Sequence, residues 1–314
     1  LYTDPAEYRA AIALLEPIRG ALTQRYAGQY AEPSENHANV YSELADLLLR
    51  QAPQETDPDL KQAILVDARD VLEKLKGAEL EDYFQDQCVS ALQARTHGID
   101  AIDPHTAVIY PVLLNDRLEI LLSAGGRMRQ FTVAASRQEV QAQVVKFRRA
   151  LEKRTTREYL RYAVPLHRLL MGPLQPTLAE QGIETLVFVP DDVFRMIPIA
   201  ALHDGKQFLI ERYGIAVTPG LTITDPSPLQ VRSATLLAGG ITEAVQGFAA
   251  LPNVREELAA VTAAQTGTTL VNDAFELESL RAELLKQPYR IVHLATHGEF
   301  GAEAKDNFVL TYRQ

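Results

Sequence analysis

The chain has 314 residues, of which 46% are hydrophobic and 23% charged, enough for two or three domains with buried cores. Its formal charge of −10 argues against a general nucleic-acid binder, because neutralising a phosphate backbone needs a net basic surface. No stretch approaches the ~18 uninterrupted apolar residues of a membrane-spanning helix, and the single cysteine, Cys88, excludes an intramolecular disulfide framework and a cysteine-rich zinc site. The opening Leu1-Tyr-Thr-Asp-Pro5 carries neither an initiator methionine nor a signal-peptide pattern. A piece of a longer, cytoplasmic gene product is the expectation.

From Pro5 to about Arg95 the pattern is helical. Tyr8, Ala11, Leu15, Ile18 and Leu22 recur at three- and four-residue spacing, with Pro17 expected to break or kink the run. Leu60, Ile64, Ala68, Val71, Leu75 and Ala78 are expected to form one face of a longer helix. Residues 1–97 thus read as a helical region resembling the end of a tetratricopeptide array, although no ~34-residue period is evident. Gly98 to Pro104 reads as a linker. The period then becomes that of strands: Ala107 to Leu114, Arg117 to Ser123 and Arg127 to Val133, joined by Asn115-Asp116 and Gly125-Gly126, predict a β-meander. Helices are expected over Gln138 to Lys153 and Arg157 to Met171, the second ending at Gly172-Pro173.

Thr185 to Val189 predicts a strand, and residues 185–220 should hold several short strands and a brief helix near Ala200, with Asp191-Asp192 and Asp204-Gly205 as turns. Asp225-Pro-Ser-Pro228 reads as a linker. Beyond it, strands at Ser233 to Gly239, Thr268 to Val271 and Tyr289 to Ala295 alternate with helices at Val254 to Thr266 and Glu276 to Gln287. That alternation predicts βαβ units and a parallel sheet. The regions are therefore 1–97, 106–228 and 229–314.

Parallel sheets place their sites at the carboxyl ends of strands. Ile291-Val-His-Leu-Ala-Thr-His-Gly-Glu-Phe300 delivers His297 and Gly298 to such a place. A histidine there can act as a general acid or base, and the adjacent glycine offers a bare backbone N–H. The plainer alternative is a hydrogen-bonded loop histidine. His293 stands four residues earlier, but on a strand that spacing is about 13 Å, so a zinc pair is not expected. Cys88, in EDYFQDQCVSAL, has no basic neighbour to activate a thiolate and reads as a helix-packing residue. Leu237-Ala-Gly-Gly240 lacks both the spacing and the lysine of a phosphate loop. Lys146, Arg148, Arg149, Lys153, Arg154, Arg157 and Arg161 form a basic run whose ordinary reading is a solvated helix face and whose sharper one is docking of an acidic partner or of another domain of this acidic chain.

Two blocks resemble a known family, the CHAT peptidases, caspase-like domains associated with tetratricopeptide repeats and related to separases. Val189-Pro-Asp-Asp-Val-Phe-Arg-Met-Ile-Pro-Ile-Ala-Ala-Leu202 is similar to the pattern VPDG.L..IPFAAL, with Asp192 where the pattern has glycine. Val292-His-Leu-Ala-Thr-His-Gly-Glu-Phe300 is similar to the histidine block. The resemblance covers about Thr106 to Gln314. It implies the first half of a caspase-like α/β parallel sheet preceded by an α+β subdomain. It further implies a cysteine endopeptidase with His297 catalytic, Gly298 N–H in the oxyanion hole and His293 structural. The implied nucleophile belongs to a later LSAC-type block beyond Gln314, so residues 1–314 alone are expected to be inactive. A non-catalytic caspase-like scaffold is the alternative. The implied partners are a protein or peptide substrate and a regulatory protein bound by the helical region, with no membrane, metal or organic cofactor.

Overall fold

The computed structural model describes residues 4–26, 33–84, 103–153, 155–224, 235–299 and 308–313. Cys88, the 98–102 linker residues and the 225–228 linker lie outside them. The chain divides into two compact units, Leu1–Pro226 and Ser227–Gln314.

The first unit is a sheet between two helical layers. α1 (Pro5–Tyr26), α2 (Pro33–Gln51) and α3 (Pro58–Phe84) precede the meander β1 (Thr106–Leu113), β2 (Leu118–Ala124) and β3 (Arg127–Val133). α4 (Arg137–Leu151), α5 (Leu160–Met171) and α6 (Gln175–Glu180) then lead to β4 (Thr185–Phe188), the single-turn α7 (Leu209–Arg212) and β5 (Gly214–Val217). The strand order is β3-β2-β1-β4-β5, antiparallel within the meander and parallel from β1 to β4 to β5. Gly125 and Gly126, both at positive φ (59° and 71°), make the tight β2–β3 turn.

Alternation along β1 explains both layers. Ala107 and Ile109 face α4–α6, with Val144, Phe147, Leu166 and Leu170, whereas Val108, Tyr110 and Val112 face α1–α3, with Leu44, Leu48, Leu65 and Leu72. Every residue of β1 and β2 is accordingly buried. Each such aliphatic side chain contributes about 1.5–3 kcal/mol relative to exposure. The helical N-terminus and the meander therefore share one hydrophobic core.

Pro111 sits inside β1, a central strand, where a missing N–H is normally costly. The amide of Leu114 donates to Arg117 O, which makes Pro111–Ile120 a non-hydrogen-bonded pair and turns the proline nitrogen away from β2. On its other side, β1 pairs with β4 only through Ile109. The lost donor thus falls where the ladder has already ended.

Two helical expectations need correction. α1 is not broken at Pro17 but runs on to Tyr26, with Tyr8 and Ile12 buried against the core ahead of the proline. Leu60 is 55% exposed, whereas Ala68, Val71, Leu75 and Ala78 of the expected face are buried, joined by Leu65 and Leu72, with Ile64 packed against them. Residues 185–220 also differ from several short strands. Val193, Phe194, Ile197, Ile199 and Leu202 bury along a segment that forms 3-10 turns at Asp192–Met196 and Ile199–Ala201, the latter the brief helix expected near Ala200, leaving β4 and β5 as the strands there. Asp192 has φ 47°, a left-handed conformation that explains the glycine of the family pattern, and its carboxylate pairs with Arg137.

Polar latches tie α3 to the strand ends of this unit. Glu73, 3% exposed, accepts from Tyr110 Oη at 2.8 Å and from Leu221 N, Thr222 N and Thr222 Oγ1, each at 3.0 Å. Lys76 pairs with Asp191 of the 189–202 block; burial pushes its amine pKa down against the opposing pull of Asp191.

Candidate active site

The second unit is a three-stranded parallel sheet, β7 (Gly267–Val271), β6 (Leu236–Gly240) and β8 (Ile291–Ala295), with β6 central. The chain leaves β6 through α8 (Val254–Ala264) to β7, then through α9 (Leu277–Lys286) to β8 on the far side of β6. No helix among the described residues is long and apolar enough to cross a membrane. The connections from β6 and into β8 thus diverge, and the crevice at the carboxyl ends of β6 and β8 is the topological switch point where such sheets bind ligands. His297 follows β8 at that crevice.

The glycines of β6 serve packing. A Cβ on Gly239 would lie 2.4 Å from the ring of Phe275, and one on Gly240 would lie 2.7 Å from both Ala295 O and Val254 Cγ1. The two bare positions let Phe275 cover one face of the sheet and α8 approach the other, which accounts for the Gly-Gly pair without a phosphate. Ala295 O also accepts from Ile241 N at 3.2 Å, joining the exits of β8 and β6.

Beyond β6, Gln246 (φ 52°) and Gly247 (φ 87°) form a two-residue turn in which Phe248 N donates to Val245 O at 2.9 Å. That turn presents Ala249 O to His297 Nε2 at 2.8 Å. Because a carbonyl can only accept, Nε2 carries the proton and Nδ1 holds the lone pair. Phe248 lies against the imidazole, centroids 5.1 Å apart at 35°, and contacts Phe308 edge-on at 6.0 Å. The ring is thus oriented by one hydrogen bond and one aromatic face.

Gly298 begins β9 (Gly298–Glu299), which pairs antiparallel with β10 (Phe308–Val309). Leu310 N donates to His297 O at 2.8 Å, and the ladder makes Gly298–Val309 a non-hydrogen-bonded pair. The Gly298 N–H therefore points away from β10. Thr296 Oγ1 donates to Leu310 O at 2.9 Å and fixes the loop on the other side of the histidine. An imidazole whose Nδ1 has no hydrogen-bond partner among the described residues, beside an outward backbone N–H, can transfer a proton and stabilise a developing oxyanion.

His293 lies elsewhere: its Nε2 is 2.8 Å from Glu257 Oε1 on α8. Among the described residues, no three His, Cys, Asp or Glu side chains converge to hold a metal ion. Sequence reasoning missed the Ala249 carbonyl, Phe248 and Phe308, since a backbone acceptor leaves no residue signature; the Gln246-Gly247 turn was the available clue. It also missed Asn272 (φ 53°), whose Oδ1 accepts from Thr242 N at 2.8 Å and whose Nδ2 donates to Glu243 Oε1 at 3.0 Å, bracing the exits of β6 and β7. Tyr312 donates to the other oxygen of Glu243 at 2.9 Å, and this hydrogen bond raises the phenol pKa.

No curated protein matches the chain. Residues 160–313, which contain both the 189–202 block and the His297 loop, match the model of the CHAT domain, and the chain therefore carries a CHAT domain, of a caspase-like family.

Proposed function

We propose that the chain is the histidine-bearing part of a caspase-like cysteine endopeptidase. His297 is its general acid and base, Gly298 N–H one donor of its oxyanion hole, and the nucleophile a cysteine of the full-length protein after Gln314. The observation that carries this reading is the pairing of His297 Nε2 with Ala249 O, which leaves Nδ1, without a hydrogen-bond partner among the described residues, as the base beside the outward N–H of Gly298. In the reaction, Nδ1 takes the thiol proton and the thiolate attacks the peptide carbonyl, forming a C–S bond. Gly298 N–H donates to the resulting oxyanion. The imidazolium then protonates the amine as the C–N bond breaks, and water hydrolyses the thioester with the histidine again as base. The substrate is a protein or peptide, and a regulatory protein docks on the layer α1–α3.

The test uses the full-length protein and a peptide probe selective for catalytic cysteines, with the labelled residue mapped by tandem mass spectrometry. Label on a cysteine after Gln314, abolished by His297→Ala, is expected. No label, or label on Cys88 alone, in folded protein with its activating partner present would replace the peptidase with a non-catalytic caspase-like scaffold.

A further inference from the structure

Charge is segregated between the two helical layers of the first unit. The sequence from Pro5 to Phe84, spanning α1–α3, carries 15 acidic and 8 basic residues, whereas Arg137 to Arg168, spanning α4 and α5, carries 9 basic and 3 acidic. Elsewhere in this unit arginines find carboxylates: Arg9 holds Asp67, Arg50 Asp46, Arg69 Asp70, Arg117 Glu119 and Arg195 Glu79. On α4 and α5 the supply of carboxylates runs out. Glu152 is taken by Arg148 and Glu158 by Lys153, while Lys146, Arg149, Arg157, Arg161 and Arg168 are exposed and hold no carboxylate among the described residues.

Helix geometry gathers these charges on one outward surface. α4 turns Val140, Val144, Phe147 and Ala150 to the core, and α5 turns Ala163, Leu166 and Leu170. Lys146 and Arg149 share the opposite face of α4 at three-residue spacing, and Arg161 and Arg168 lie two turns apart on α5. Arg157 lies in the connection, and α4 packs directly on α5. A solvated face with no partner would gain by interspersed carboxylates, because like charges at these spacings repel.

We propose that the outer face of α4 and α5 is a docking surface for an Asp/Glu-rich protein segment. Unpaired, exposed guanidinium groups match carboxylates bidentately and cost little desolvation at a rim. A nucleic-acid strand fits less well. Glu152 and Glu158 lie within the surface, and the neighbouring Tyr159 and Tyr162 are partly buried against the core, Tyr159 with a ring face stacked on Phe208, so the surface offers no open aromatic platform for bases.

The experiment titrates the full-length protein into a short fluorescein-labelled peptide of alternating Asp and Glu, reading anisotropy at low and at physiological salt. An oligothymidylate of equal charge runs in parallel. Saturable binding to the peptide, weakened by salt, is expected. The double variant Arg149→Glu/Arg157→Glu should lose about tenfold in affinity, with unchanged melting temperature because both side chains are exposed, and Lys74→Glu, exposed on α3 on the other face of the sheet, should lose none. Absence of saturable peptide binding, equal binding by the double variant, or tighter binding of the oligothymidylate would each overturn the proposal.

Discussion

Glu73→Gln tests how α3 is locked to the sheet. Glu73 Oε1 accepts from Tyr110 Oη and Leu221 N, and Oε2 from Thr222 N and Oγ1. Glutamine keeps the shape but only one acceptor oxygen. Whichever way its amide is turned, the NH2 faces a backbone N–H, of Leu221 or of Thr222, that cannot reverse its polarity. One buried donor facing another costs about 1–3 kcal/mol, and the surviving bonds lose their charge assistance, about 0.5–1 kcal/mol each. Burying a neutral amide instead of a carboxylate offsets part of this, leaving a net loss of about 2 kcal/mol. For a unit of this size that lowers Tm by about 4–8 °C in calorimetry. A shift below about 1 °C would refute the reasoning, because it would mean that the buried carboxylate contributes nothing the amide cannot replace.

Three further outcomes follow from particular contacts. Gly239→Ala drives a methyl into the ring of Phe275 and should destabilise the second unit by about 1–3 kcal/mol in urea unfolding; Phe275→Leu in the same chain should recover part of the loss, and equal midpoints for both variants would contradict the packing role. Asp192→Gly relieves the left-handed conformation but loses the Arg137 pair and loosens the unfolded chain, so thermal melting should show a change within about 1 kcal/mol. His167, 7% exposed on α5, has its pKa lowered from the ordinary 6.5, chiefly by burial, with Asp204 opposing and Arg212 and His203 adding to the effect. Its contribution to stability is therefore full above pH 6.5 and is lost as pH falls through the depressed value, since the unfolded chain takes up the proton first. Urea midpoints should fall from about pH 7 to pH 5, and His167→Leu should flatten that slope.

Much of the architecture was legible because it rests on periodicity and turn chemistry. Alternating runs around Asn115-Asp116 and Gly125-Gly126 specify a meander, and strands separated by helices specify a parallel sheet whatever the rest of the chain does. The position of His297 after β8 follows from the same local pattern. The misreadings lie where long-range contacts override local preference. The helix runs through Pro17, Leu60 faces solvent, and Val193, Phe194 and Ile199 bury from 3-10 turns where short strands were expected.

Pattern along the chain therefore determined which elements form, how β6, β7 and β8 alternate with helices, and which histidine stands at a strand's carboxyl end. Only the tertiary structure decided that α1–α3 and α4–α6 enclose one sheet, that Ala249 O selects the tautomer of His297, and that the Gly298 N–H points outward. Those outcomes depend on groups far apart in sequence, on backbone atoms that every residue carries alike, and on ladder register, none of which residue identity encodes locally.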